Sequence, residues 1–100
     1  MASYNKLVRD KIPQILDAKG VKYEKRVALA TEMKGELAKK LEEEAGEFAE
    51  VNSAEELADV IEVIEALKAL PEFVHVERVR MKKRLERGGF DEGIILKVEE

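Results

Sequence analysis

The acidic residues of this chain are its most informative chemistry. Residues 31–65 hold twelve Asp and Glu against three Lys, whereas residues 1–30 hold seven Lys and Arg against three acids. Like charges at that density repel unless water or a cation separates them. Within the acidic stretch, Glu44 and Glu47 are three residues apart, as are Glu56 and Asp59. On a helix that spacing puts each pair on one face. Clustered carboxylates suit a hard divalent cation. Mg2+ takes oxygen ligands, keeps part of its water and is often shared with phosphate, and Mn2+ can use the same donors. Composition excludes other metal chemistries. The chain has no Cys, hence no thiolate zinc site, iron–sulfur cluster or cysteine nucleophile, and one His, His75, cannot build a histidine-rich site.

Two long helices are needed to position these acids. The pattern predicts one from about Glu32 to Val51, capped by Thr31, and a second from Ala54 to Leu70, stopping before Pro71. The Asn52–Ser53 turn between them is short, so the two should lie antiparallel as a hairpin. A third helix is expected over 72–87, ending at Gly88–Gly89, and a short one from Pro13 to Gly20. Val21, Tyr23, Val27 and Leu29 alternate and suggest a strand over 21–29. Ile94, Ile95, Leu96 and Val98 suggest another that could pair with it. The expected fold class is mainly α, an antiparallel helical bundle with room for a short two-stranded pair from residues 21–29 and 94–98. No repeat or linker divides the hundred residues, so one domain over 1–100 is expected.

At about 100° per residue, Met33, Leu37, Leu41, Ala45, Phe48 and Val51 form one apolar stripe, and Val60, Val63, Ile64, Leu67 and Leu70 another. Glu44 projects within the first stripe, with Glu47 at its edge and Glu43 beside Glu47. Glu56 points into the second, and Asp59 sits at its edge. Glu62 and Glu65 face away. Crowding carboxylates on an apolar seam is costly without compensation. A competing reading exists for Glu56, because Ser53-Ala54-Glu55-Glu56 is also a capping box. Glu43 also reads as an ordinary solvated glutamate.

The residues then match a known family. Glu43-Glu44-Ala45-Gly46-Glu47 fits an EExxE motif and Glu56-Leu57-Ala58-Asp59 an ExxD motif. Together they resemble the MazG-like all-α nucleoside triphosphate pyrophosphohydrolase superfamily. The opening Tyr4-Asn5-Lys6-Leu7-Val8-Arg9-Asp10-Lys11-Ile12-Pro13 and the closing Glu86-Arg87-Gly88-Gly89-Phe90 resemble its small phosphoribosyl-ATP pyrophosphohydrolase-like branch. The resemblance implies Mg2+-dependent cleavage of a nucleotide to its monophosphate and pyrophosphate, by homodimers or higher homo-oligomers. It implies Glu44, Glu47, Glu56 and Asp59 as metal ligands. Glu43 is then a group just outside them or, with Glu44, part of the catalytic machinery as the base for the attacking water. The gap between the motifs is short, with eight residues between Glu47 and Glu56, so substrate range transfers poorly.

A triphosphate also needs cations. Residues 78–87 carry six Lys and Arg against Glu86 alone, and Lys6, Arg9 and Lys11 form a second group. Lys83, Arg84, Arg87, Lys6 and Arg9 are the expected phosphate-binding residues, with solvated helix charges as the competing reading. Tyr4, Tyr23, Phe48 and Phe90 could stack on a base; Phe48 sits on the core stripe and reads as packing, and Phe90 is the best candidate. Val74, Met81 and Leu85 make one stripe on the third helix, and Val76 with Val79 a second, so one of its neighbours should belong to another subunit. No apolar run reaches membrane-span length, no signal-peptide core opens the sequence, and no aromatic-interleaved basic motif points to nucleic acid. A cytoplasmic enzyme acting on a nucleotide is expected. The alternative from a different class is a non-catalytic helical module that binds a metal or nucleotide.

Overall fold

A computed structural model describes residues 5–99. The chain divides into two compact units, Met1–Leu67 and Lys68–Glu100. The mainly α fold class is observed, with four α-helices and one short 3-10 turn among the described residues. They are α1 (Ile12–Ala18), α2 (Ala30–Val51), α3 (Ala54–Lys68) and α4 (Val76–Arg87), with the 3-10 turn at Pro71–Phe73.

In the first unit, Pro13 opens α1, and Gly20 follows it in the left-handed region at φ +71°. α2 starts two residues earlier than Thr31 suggests. Its N-cap is Leu29, which has no side-chain oxygen to cap the helix, and the Glu32 carboxylate makes the reciprocal contact by accepting the Leu29 N–H at 3.1 Å. Arg26 locks that carboxylate from outside with two donated bonds of 2.9 and 2.7 Å. α2 ends at Asn52, which adopts φ 56° and donates both its N–H and its side-chain amide to the Phe48 carbonyl, at 2.7 and 2.8 Å. Asn tolerates this left-handed conformation and satisfies a carbonyl the helix end would orphan. The chain then reverses immediately into α3, giving the expected hairpin.

The apolar seam is narrower than its sequence pattern. Leu37 and Val63 are its buried centre, with Met33, Leu41, Phe48, Val60 and Leu67 half-buried around them. Ala45, Val51 and Ile64, expected on the seam, are exposed. A second apolar row on α3, Leu57, Ile61 and Ile64, is exposed at helical spacing.

Three expectations are corrected. No strand is present among the described residues. Residues 21–29 are irregular, with Tyr23 tied to Asp17 through a 2.8 Å hydrogen bond, and Val27 and Leu29 face solvent. Ile94, Ile95, Leu96 and Val98 are likewise exposed. Alternation alone does not make a strand, since a two-stranded ribbon without a packed face is marginal in water. α3 stops at Lys68 rather than Leu70, because Leu70 precedes Pro71 and is driven to an extended ψ of 143°. The helix expected over 72–87 is broken. Phe73, Val74, His75 and Val76 are poor helix formers, and regular α geometry begins only at Val76. No helix among the described residues is long and apolar enough to cross a membrane.

The start of α2 generates a pH prediction. The Arg26 bonds, then the Leu29 N–H, lower the Glu32 carboxyl to about 2. A depressed carboxyl stabilises the fold above its unfolded pKa and loses that contribution as pH falls toward 2. In thermal melts, Glu32→Gln should therefore melt below wild type at pH 7, with the gap closing between pH 5 and 2.

Candidate metal centre

Glu44 lies on α2 one turn beyond Leu41 and in line with Leu37 and Phe48, so the helix delivers it into the seam. It is the buried charged residue of the described chain, at 8% exposure. Across the hairpin, the first turn of α3 delivers Glu56 and Asp59, both half-buried. Each of Glu44, Glu56 and Asp59 offers a carboxylate oxygen, and these oxygens all lie within 4.8 Å of one another. They come from residues separated by the turn, so the hairpin itself assembles the group.

Two oxygens of the group are buried with no hydrogen-bond partner, Oε2 of Glu44 and Oε2 of Glu56. A buried carboxylate oxygen left unpaired carries a penalty of several kcal/mol in principle, which natural proteins avoid unless something occupies the site. Here the capping alternative can be weighed. The Ser53 hydroxyl accepts the Glu56 N–H at 3.1 Å, so Ser53 does cap α3. Glu56 itself keeps an oxygen for another partner. An all-carboxylate set with orphaned oxygens fits a hard divalent cation.

Four of the expected site residues surround this group differently. Glu47 is exposed and outside it. Its wheel position was only the edge of the stripe, and a long side chain at an edge turns to water. Glu43 accepts a 2.9 Å hydrogen bond from Lys6 and lies 3.6 Å from Lys40. The Lys6 hydrogen bond holds its carboxyl below the usual range. A carboxylate gripped by two ammonium groups is a weak base, and in this geometry Glu43 serves as their counter-ion. Arg9 reaches Asp59 at 3.5 Å and Glu62 at 3.7 Å. Lys6 therefore contacts α2 while Arg9 contacts α3, and the segment before α1 straddles the hairpin. Tyr4 lies outside the described residues.

Sequence reasoning missed Lys40. Its ammonium is 3.3 Å from Glu44 Oε1, and its side chain is 16% exposed. The signal was available: Lys40 precedes Glu44 by four residues, flanking the Leu37–Glu44 stripe.

In the second unit, Lys83, Arg84 and Arg87 are exposed at the end of α4. Arg84 pairs with Asp91 at 3.3 Å and packs across Gly89, where a Cβ would collide with its guanidinium. Gly88 turns the chain at φ +81°. Arg84, Arg87, Gly88 and Gly89 line an open groove of about 450 Å³ with Met81, Leu85 and the acidic Asp91 and Glu92. Phe90 is 98% exposed.

No protein-family model matches this chain, and neither a curated protein nor a solved structure does. The site therefore stands on its own residues.

Replacing the buried acid separates stability from binding. In chelator, Glu44→Met removes an unpaired buried oxygen but leaves Lys40 with Glu43 alone, so the opposing effects should keep its unfolding free energy within about 1–3 kcal/mol of wild type. Adding Mn2+ should stabilise wild type, by about 2.7 kcal/mol at a hundredfold excess over Kd, and leave Glu44→Met unchanged. Calorimetric melts with and without Mn2+ check both arms.

Proposed function

We propose that the protein is a Mg2+-dependent nucleotide pyrophosphohydrolase that converts a nucleoside triphosphate, or a phosphoribosyl-ATP-like nucleotide, to its monophosphate and pyrophosphate. The observation that carries the reading is the group of Glu44, Glu56 and Asp59, two of them with buried, unpartnered oxygens. The EExxE and ExxD motifs and the two end motifs resemble the MazG-like superfamily and supply the reaction class.

Bound by this group, Mg2+ would supply charge neutralisation at the phosphates and acidify a water. The chain's residues do the rest. Glu44, Glu56 and Asp59 hold the cation, and a ligand role for Glu47 rests on the resemblance of the EExxE motif alone. The oxygen of water bonds to the α-phosphorus as the bond to the bridging oxygen breaks, pyrophosphate leaves, and the water's proton passes to a carboxylate. Glu44 and Glu43 are the proposed acceptors, and Glu43 needs Lys6 to move away before it can serve. Lys6 and Arg9 are proposed phosphate partners within the same unit. A phosphate role for Lys83, Arg84 and Arg87 rests on the resemblance of Glu86-Arg87-Gly88-Gly89-Phe90.

We further propose a homodimer or higher homo-oligomer. The exposed row Leu57, Ile61, Ile64 on α3 and the exposed Val76, Val79, Met81 and Leu85 on α4 support it. Only Leu37 and Val63 among the described apolar residues are buried, a small core for a lone chain of this length. We propose a cytoplasmic location, and no helix among the described residues is long and apolar enough to cross a membrane.

Incubation with Mg2+ and a panel of nucleoside triphosphates, with phosphoribosyl-ATP included, should release pyrophosphate. Glu44→Gln and Asp59→Asn should each lower kcat/KM at least about a hundredfold, the scale of a lost transition-state charge interaction. Sedimentation of the active preparation should give a mass above the monomer. No release from any nucleotide, or release unchanged in both variants, overturns the reading. A melting temperature raised by Mg2+ and nucleotide with nothing consumed favours the non-catalytic module instead.

A further inference from the structure

Lys40 is a half-buried lysine outside the acidic motifs. Its Nζ bridges two adjacent carboxylates, 3.3 Å from Glu44 Oε1 and 3.6 Å from Glu43 Oε2, and its side chain is 16% exposed. Lys before Glu at this spacing is the weaker of the two orders for helix stability, so an ion pair for the helix alone is a poor reason for it. Glu44 meanwhile presents one oxygen to Lys40 and keeps the other unpaired among carboxylates. The same acid is thus shared between a built-in cation and whatever satisfies Oε2.

We propose that Lys40 is the resident counter-ion of the acidic group, and that loading moves its ammonium from Glu44 to a phosphate of an incoming metal–polyphosphate. This rests on the divalent-cation reading of Glu44, Glu56 and Asp59. A divalent cation arriving alone must sit beside an ammonium that already neutralises one of its ligands. At a few ångströms, that repulsion costs about a factor of ten in affinity even at water-like dielectric. A cation that brings polyphosphate relieves the conflict. Lys40 gains a more highly charged acceptor, and Glu44 is freed for the metal. Lysine suits the task, since its flexible stem and point charge can swing between acceptors. Glu43, already 3.6 Å from the ammonium, keeps Lys40 paired while it exchanges Glu44 for the phosphate. The site thereby favours metal and polyphosphate together over metal alone.

The test is the sign of two effects in one variant. Mn2+ alone, and inorganic tripolyphosphate in excess Mg2+, are titrated into wild type, Lys40→Gln, Lys40→Met and Lys40→Arg by calorimetry, with melting temperatures taken alongside. Lys40→Gln and Lys40→Met should bind Mn2+ about tenfold tighter and Mg2+–tripolyphosphate about tenfold weaker, while Lys40→Arg keeps most of the polyphosphate affinity. Opposite shifts cannot come from a damaged fold, which would weaken both. Weakening of both ligands, or change in neither, overturns the proposal. If wild type binds Mn2+ and the Lys40 variants bind it equally, Lys40 loses this role and the metal reading stands. If wild type binds neither Mn2+ nor Mg2+–tripolyphosphate, both fall.

Discussion

A carboxylate oxygen taken out of water must be paired, and the structure around the hairpin depends on how that demand is met. Glu44 occupies a core position between Leu37 and Phe48 on α2. An apolar residue there would pack against α3 with no polar debt. The chain instead places a charge in its seam and adds two more acids opposite, Glu56 and Asp59. Local choices that oppose stability in this way concentrate where a protein binds something.

The rest of the first unit then serves to hold this charge in place. Asn52 reverses the chain so abruptly that residues twelve and fifteen positions beyond Glu44 face it. Ser53 caps α3, which fixes the first turn and with it Glu56. Lys6, Lys40 and Arg9 distribute positive charge over Glu43, Glu44 and Asp59. Those pairs are mostly exposed and add little to folding individually. Their consequence is electrostatic: they let the acids coexist and keep cations within reach of any anion that arrives.

Much of this was legible in the sequence, for identifiable reasons. The helices α2 and α3 were readable because a long 3.6-residue period, a turn pair and Pro71 all agree. Glu44 was readable because it interrupts an apolar stripe. Glu47 is exposed and outside the group; a wheel gives an angle and cannot say whether an edge side chain turns in or out. The strands were overread because alternation at 21–29 and 94–98 records residue types, whereas a ladder needs a partner and a face to bury. Lys40 was overlooked because lysines on an acidic helix are usually solvated. Its low exposure depends on the neighbours that the fold supplies. The break before α4 was hidden by Pro71, which suits a helix start, while the β-branched and aromatic residues behind it do not continue one.

The central claim is that Glu44, Glu56 and Asp59 form one divalent-cation site. Anomalous diffraction from crystals grown with Mn2+ tests it most directly. The account predicts a manganese peak bonded to oxygens of all three residues, with the Lys40 ammonium no closer to the ion than to its anionic partner. Manganese bound only elsewhere, or a well-ordered Glu44 still paired solely with Lys40 at saturating Mn2+, would contradict it.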